Sequence, residues 1–487
     1  MIRPLLIALA AATAATAAQA QTPVITPAPA PEAAAPAAIP APAVPAAQAP
    51  LPITLPSLTL AEAEALLLER NLALAAARRG VDVARAQVLV ADTSPAPTIG
   101  YNQVVGQWSE QSRLSGQYGA RGVSPLNNAQ ATFSVLIETG GKRELRTRVA
   151  REGVSAAEAQ LLDTLRGEVF ALRQAFFAGL EARANLQVAL ANRQALNETE
   201  GLLRRQVQQG QIPEADLLRF QASRLPFEQD LAAAAQAYVA AVAQVAVQLG
   251  TDATRQRPQG ASHDPLAPIL APLPFDLRGR LDARASEPPP REQLATAVAN
   301  RPDVLAAARI AGAAAANARL AEAGRSRDVT LNASLGRTEL SQDLPSGSRT
   351  AFASNQVGIG VSIPIFTRRL TDGTAAAATA LQGQAEMQAR LVLTQAQADV
   401  ATAWASYLQA RQLLTLTTAQ ALRRAEEAYQ STEAAYRAGG RTLLDVLDAL
   451  RTLNATRVAA NGARAQMLRA LAGLEQASGV AGIAPRP

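Results

Sequence analysis

The sequence predicts an α+β membrane protein with two internal repeats: a trimeric, 12-stranded β-barrel, four strands per chain, continued by a long α-helical coiled-coil barrel. Three observations lead there. A helical pattern runs from Lys142 to Gln208 with no breaker, which at about 1.5 Å per residue is on the order of 100 Å and too long for a compact domain. Four other segments switch to alternation at period two, the signature of strands. The whole pattern then occurs a second time.

Composition sets the limits. The chain has 487 residues, 48% of them hydrophobic but only 3% aromatic, and alanine dominates the apolar set, which favours close-packed long helices over an ordinary globular core. The formal charge is +6, carried almost wholly by arginine, since Lys142 is the only lysine. These arginines are scattered among acids, with no basic tract interleaved with aromatics, so the pattern speaks against nucleic acid as a partner. No cysteine is present, which excludes disulfides, thiolate metal sites and a cysteine-linked lipid anchor. The sole histidine, His263, lies in a proline-rich loop, and one imidazole makes no transition-metal site.

In chain order, residues 1–20 carry an early charge (Arg3), an apolar run and Ala18-Gln19-Ala20, the three parts of a secretory signal peptide. Residues 21–56 are Ala/Pro-rich and read as a disordered spacer. No later stretch approaches the roughly 18–20 uninterrupted apolar residues of a spanning helix, so an exported chain of this kind crosses a membrane only as a β-barrel.

The first repeat (57–250) opens with a helical pattern from Leu58 to about Asp92. A strand follows over Thr98–Trp108, then a polar loop, then a strand over Ala131–Glu138 with Phe133, Val135 and Ile137 on one face. Gly140-Gly141 ends the hairpin and the long helix begins at Lys142. Its apolar residues Leu165, Val169, Leu172, Phe176 and Leu180 form a coiled-coil seam. The chain bends at Gly210–Pro213 and returns to about Gly250, with Tyr238, Val242, Val245 and Leu249 continuing the seam. Residues 251–290 are Pro-rich and irregular, an inter-repeat, equatorial segment.

The second repeat (291–478) begins with Pro302–Arg309, an echo of Asn71–Arg78. Strands are expected over Val329–Leu335 and Gln356–Phe366, where Val357, Ile359, Val361, Ile363 and Ile365 oppose Gln356, Gly358, Gly360 and Ser362. A second long helix, about Asp372–Arg437, carries Val400, Trp404 and Tyr407 as seam packing. It bends at Gly439-Gly440, where glycine relieves a positive φ, and returns to about Ser478, leaving 479–487 as a tail.

Strands of about ten residues match the height of a tilted outer-membrane strand. Four strands cannot close a barrel, and open edges in lipid are prohibitive, so several chains share one. Three copies give an even strand number in the workable range. By the same operation their helical arms make a tube on the periplasmic side.

The bend Tyr436-Arg-Ala-Gly-Gly-Arg-Thr-Leu-Leu-Asp-Val-Leu-Asp448 concentrates unusual residues. Asp445 and Asp448 lie three apart, so both carboxylates face one side of the incoming helix. Gly210 and Asp216 on the first bend are spaced like Gly439 and Asp445. No catalytic constellation exists: the histidine has no partner and the glycines form neither a P-loop nor a strand-following G-x-G-x-x-G, so no enzyme and no cofactor are expected.

The duplicated architecture and the motif Tyr436, Gly439, Arg441, Thr442, Asp445, Val446, Leu447, Asp448 resemble the TolC-type outer-membrane efflux channel family, over about Leu58 to Ser478. The resemblance implies a homotrimer in outer-membrane lipid, with a helical tunnel reaching towards a periplasmic adaptor and an inner-membrane transporter. It implies that Tyr436 and Arg441 are gate links, with Asp216 the arginine's partner on the neighbouring hairpin. The turns at Gly210, Gly439 and Gly440 would meet the adaptor. Asp445 and Asp448 have two readings: first-turn acids that complement a helix dipole, or, under three-fold symmetry, rings of carboxylates that focus cations at the entrance. Ile137–Arg143 resembles the heavy-metal (cobalt–zinc–cadmium) branch, which makes metal cations the expected substrate, with multidrug or type I secretion duty the alternative. The lipidated N-terminal cysteine common in the family is missing. Tyr101, Trp108, Phe133 and Phe366 read as an aromatic girdle at the lipid interface or as ordinary strand packing. A different class, a pore-less periplasmic coiled-coil scaffold, would need no strands at all.

Overall fold

A computed structural model describes residues 57–105, 122–251, 273–282, 287–343, 348–365, 367–438 and 440–486, so the leader, the Ala/Pro-rich spacer, His263, Trp108, Phe366 and Gly439 lie outside the described residues. The first repeat runs β1 (Ser57–Leu58), α1 (Leu60–Arg70), α2 (Leu72–Asp92), β2 (Thr98–Val105), β3 (Gly122–Ile137), α3 (Lys142–Gln208), α4 (Glu214–Ser223) and α5 (Leu225–Gln248). After β4 (Asp276–Leu277), the second runs α6 (Arg291–Ala297), α7 (Pro302–Ala323), β5 (Val329–Asp343), β6 (Arg349–Ser362), α8 (Arg368–Thr415), a π-turn (Leu416–Ala421), α9 (Leu422–Arg437) and α10 (Leu443–Ser478).

The long helix has the expected bounds: α3 is 67 residues, about 100 Å by helical rise. Its seam is where the periodicity puts it. Leu172, Phe176 and Leu180 are buried, Leu165 and Val169 pack against them, and Tyr238, Val242, Val245 and Leu249 of the return arm are buried opposite. In the second repeat Val400 and Tyr407 are buried, and Trp404 packs against Tyr407 in a tilted arrangement with ring centroids 5.6 Å apart.

Several expectations need correction. The opening helix is two helices, because Asn71 leaves helical geometry and its Oδ1 accepts from the N–H of Leu74, capping α2. The return arm breaks at Arg224, just ahead of Pro226, which has no N–H for a continuing ladder. The arm Glu214–Gln248 is also apolar enough to cross a membrane by composition, with mean hydropathy 1.4 over its most apolar window. That apolarity is used in packing: Phe227, Leu231, Ala235, Tyr238 and Val242 are buried against the rest of the protein. The second long helix starts at Arg368 rather than Asp372 and contains the π-turn.

The inter-repeat segment reaches into the core. β4 pairs in parallel with β1, and Leu277 is fully buried. It sits so close to α3 that a Cβ on Gly179 would lie 2.2 Å from Leu277 Cδ1, so a side chain there would have to push Leu277 aside. The two repeats lock their helices in the same way. Asn71 Nδ2 donates to Glu168 Oε2 at 2.8 Å and to the Gln248 carbonyl at 2.9 Å. At the corresponding point Arg301 Nη1 donates to Asp399 Oδ2 at 3.2 Å and to the Ala477 carbonyl at 2.8 Å.

The four strands form one antiparallel sheet in the order β2-β3-β5-β6, with β2 and β6 as open edges; β3, β5 and β6 are longer than the alternation marked, and β2 is described over Thr98–Val105.

Candidate functional site

The register sorts the sheet into two chemistries. Ile359, Ala333, Phe133 and Ile99 are successive partners across the four strands, as are Val357, Leu335, Ala131 and Tyr101. One residue away the rows read Gly358, Ser334, Thr132 and Gly100, then Gly360, Asn332, Ser134 and Thr98. Neighbouring positions along a strand point to opposite faces, so one face is apolar and the other polar. The apolar face is uncovered: Ile359 is 87% and Val357 79% exposed. Such a face is stable against lipid and not against water. Tyr101 and Phe133 both belong to it and are exposed, with the Tyr101 hydroxyl donating to Gln103 Oε1 at 2.9 Å.

At the far end of the helices the two bends are built alike. In the first, Gly210 takes φ +69°, the Gln211 N–H donates to the Gln206 carbonyl at 2.9 Å, and the Gly210 N–H donates to Val207 at 2.9 Å. This is a Schellman closure, and the left-handed conformation is what requires glycine. In the second, the Gly440 N–H donates to the Ala435 carbonyl at 2.8 Å, the equivalent closing bond. Gly440 itself is not left-handed, and Gly439, the other glycine of the expected bend, lies outside the described residues.

The incoming helices then differ. α4 starts after Pro213 with no side-chain cap, whereas α10 starts with a capping box. Asp445 Oδ2 accepts from the Thr442 N–H at 3.0 Å and hydroxyl at 2.9 Å, and Thr442 Oγ1 accepts from the Asp445 N–H at 3.3 Å. These bonds to Thr442, with a smaller effect of the Arg441 charge, hold the Asp445 carboxyl below its usual range. Asp448, one turn on, is exposed. Asp445 therefore caps a helix whatever else it does.

Asp216 forms its ion pair with Arg219 on its own helix, at 3.8 Å. Within one chain it is not paired with Arg441. Tyr436 is half-buried in the last turn of α9 and Arg441 is exposed on the bend. Among the described residues neither side chain makes a hydrogen bond or ion pair within the chain.

Beneath the bends the hairpins share a small core in which Leu203, Phe220, Phe227, Leu447 and Leu450 are buried. Beside it lies a charged knot that the sequence reading missed. Glu200, buried, accepts from Arg204 Nη2 at 2.6 Å, from Gln221 Nε2 at 2.9 Å and from Arg224 Nη1. The Gln221 bond, then Arg204 and Arg224, hold the Glu200 carboxyl below its usual range against the opposing effect of burial. A second missed feature spans α3 and α10, where Asn461 Nδ2 donates to Asn185 Oδ1 at 3.0 Å and, a heptad nearer the bends, the Asn454 side-chain amide is buried without a partner. Asn185 and Asn192 on one helix match Asn461 and Asn454 on the other, a heptad spacing visible in the sequence.

The family model described as "Outer membrane efflux protein" matches residues 65–251 and 294–480. A curated relative, the outer membrane efflux protein BepC of Brucella suis biovar 1 (strain 1330), is 26% identical over 368 residues, covering 74% of this chain and 75% of the relative. Among solved structures, the Campylobacter jejuni CmeC outer membrane channel superposes with TM-score 0.65 at 18% identity, covering 86% of this chain and 85% of that one. A crystal structure of CusC, described with its transmembrane channel formation, gives TM-score 0.64 at 20% identity over 88% and 98% of the two chains. At these identities the superpositions speak to the fold.

Proposed function

This chain belongs to the outer membrane efflux protein family, and we propose that it forms, as a homotrimer, the passive exit duct that carries substrate from an inner-membrane transporter and a periplasmic adaptor to the exterior. The family is one of channels, not enzymes, and its place is the outer membrane with a helical extension into the periplasm. The observation that carries the duct reading is the sheet, whose one face is apolar and exposed, whose other is polar, and whose two edges are open. Three such sheets closed edge to edge put the apolar faces on lipid and the polar faces on a water-filled lumen. A pore-less scaffold would have no use for that division.

At the entrance, the proposal gives Tyr436 and Arg441 the role of links that keep the mouth narrow, with Asp216 of a neighbouring hairpin as the arginine's partner. Asp445 and Asp448 would form charge rings that favour cations. The turns at Gly210, Gly439 and Gly440 would receive the adaptor. Tyr101, Phe133, Trp108 and Phe366 would form the interfacial girdle.

For substrate we propose heavy-metal cations, on the resemblance of residues 137–143 to the metal branch. Those residues sit at the strand-to-helix junction, where Gly140 and Gly141 are both left-handed and Lys142 Nζ bonds Asp328 at 2.8 Å, so they would mark ancestry and not bind cargo. Deleting the gene tests both levels. Loss of tolerance to divalent metals exceeding loss of tolerance to lipophilic drugs is expected. The reverse order moves the chain to multidrug duty, and no change in either removes the efflux reading.

A further inference from the structure

Where the sheet meets the helices, three segments from both repeats are tied into one collar. Lys142 Nζ donates to the Ser326 carbonyl and to Asp328 Oδ1, each at 2.8 Å. The Thr139 hydroxyl donates to the Arg327 carbonyl at 2.9 Å. Arg325 reaches Asp372 at 3.2 Å, and Arg368 shares that one carboxylate at 3.7 Å. The collar carries more cation than it neutralises. Arg143, Arg327, Arg368 and Arg369 are exposed, Arg368 with 95% of its side chain open. Among the described residues Arg143, Arg327 and Arg369 make no ion pair; Arg143 donates only to Ser94 Oγ, at 3.3 Å.

The position of this charge is what gives it meaning. The exposed apolar row of β6 continues beyond the strand through Ile363 and Ile365, and Arg368 and Arg369 follow at once. Arg327 stands just ahead of Val329, the residue paired with Ile137 at the last rung of the sheet. At about 3.3 Å per residue of extended chain, two to three residues place the backbone of these arginines roughly 7–10 Å past the apolar edge, within reach of a headgroup layer beside the hydrocarbon. Guanidinium is the cation that binds phosphate through two parallel hydrogen bonds, and its stem lies comfortably along apolar surface.

We propose that this collar binds the phosphodiester headgroups of anionic phospholipids in the periplasmic leaflet, at Arg325, Arg327, Arg368 and Arg369, and so fixes the height of the barrel in the membrane. The proposal rests on the membrane-spanning reading of the sheet. A zwitterionic headgroup brings its own ammonium to compete with the arginines, so the net-anionic class is preferred.

The test reconstitutes the purified full-length protein in vesicles of equimolar phosphatidylcholine and phosphatidylglycerol, extracts it gently, and quantifies the co-purifying lipid by mass spectrometry. Phosphatidylglycerol should be enriched over the bulk by roughly fivefold or more, the preference expected of a basic residue at an anionic surface. The enrichment should fall as salt is raised, persist in Arg441→Gln at the distant bend, and be reduced but not abolished when the four arginines become lysine, which keeps the charge and loses the paired hydrogen bonds. It should vanish in the fourfold Arg→Gln variant, which should still conduct in zwitterionic bilayers, so that failure here stays separate from failure of the duct reading. No enrichment by the parent, enrichment indifferent to salt, enrichment retained by the Gln variant, or loss of the bound lipid to millimolar inorganic phosphate would each overturn the proposal.

Discussion

Thr442 and Asp445 hold each other: one carboxylate oxygen accepts both the Thr442 N–H, at 3.0 Å, and its hydroxyl, at 2.9 Å. The acid that would give the entrance its charge also fastens the start of the last helix. The two aspartates of the bend are therefore separable. Asp448→Asn should weaken cation preference and block by trivalent cations while leaving the melting temperature unchanged. Asp445→Ala should weaken selectivity and lower the melting temperature as well, because the capping box is lost. Reversal potentials under a salt gradient, set beside thermal melts, distinguish the two, and equal melting of both variants would contradict the dual role.

The proposed gate would have to be weak enough for the proposed adaptor to open. Arg441→Ser with Tyr436→Phe is expected to raise single-channel conductance without loss of the trimer. Arg219 supplies a test in the opposite direction, since it pairs with Asp216 on the same helix. Arg219→Gln frees Asp216 for Arg441 and should lower conductance. Exposed pairs of this kind contribute about 0–1 kcal/mol, so the change should stay within roughly fivefold. Parental conductance in both variants would leave the bend a structural turn with no gating role.

Much of this fold can be read from the chain because its punctuation is local. Gly141 and Gly210 bracket the first long helix, and the seam residues between them alternate at coiled-coil spacing. Strand length is legible only where one face is apolar. Beyond Gly336 in β5 and before Ala129 in β3 the apolar residues (Leu340, Val123, Leu126) no longer recur at every second position, so the alternation disappears although the ladder continues. The breaks at Asn71 and Arg224 sit inside otherwise helical patterns, and the two-residue strands β1 and β4 are too short to leave any pattern. The capping box was readable as Thr442-x-x-Asp445, and the asparagine rungs as heptads on α3 and α10. What no local signal reveals is which carboxylates meet which arginines, since Glu200, Gln221 and Arg224 come together only when the hairpin closes.

The asparagine rung gives a stability test. Asn461→Leu alone leaves the half-buried Asn185 carbonyl without its 3.0 Å partner and should cost about 1–3 kcal/mol. Adding Asn185→Leu replaces both partners by apolar groups and should recover much of that loss. Equilibrium denaturation of the four proteins of the cycle measures the coupling, and purely additive losses would contradict it.

Glu200 makes stability depend on pH in a set direction. Its folded-state pKa lies below the ordinary 4.5, so the stabilisation is fully present above 4.5 and is lost as pH falls through the depressed folded value. The melting temperature of the parent should drop on acidification through that window. Glu200→Gln should melt lower at neutral pH and show a shallower acid slope. An acid slope identical in parent and variant would show that the knot contributes nothing to it.

The mass of the detergent-solubilised particle tests the shared barrel most directly. Sedimentation with the bound detergent subtracted should give three chains and no smaller species that keeps its β-sheet signal, because a four-stranded sheet with open β2 and β6 edges has no stable place in lipid alone. A monodisperse single-chain particle with full β-sheet signal would contradict the account.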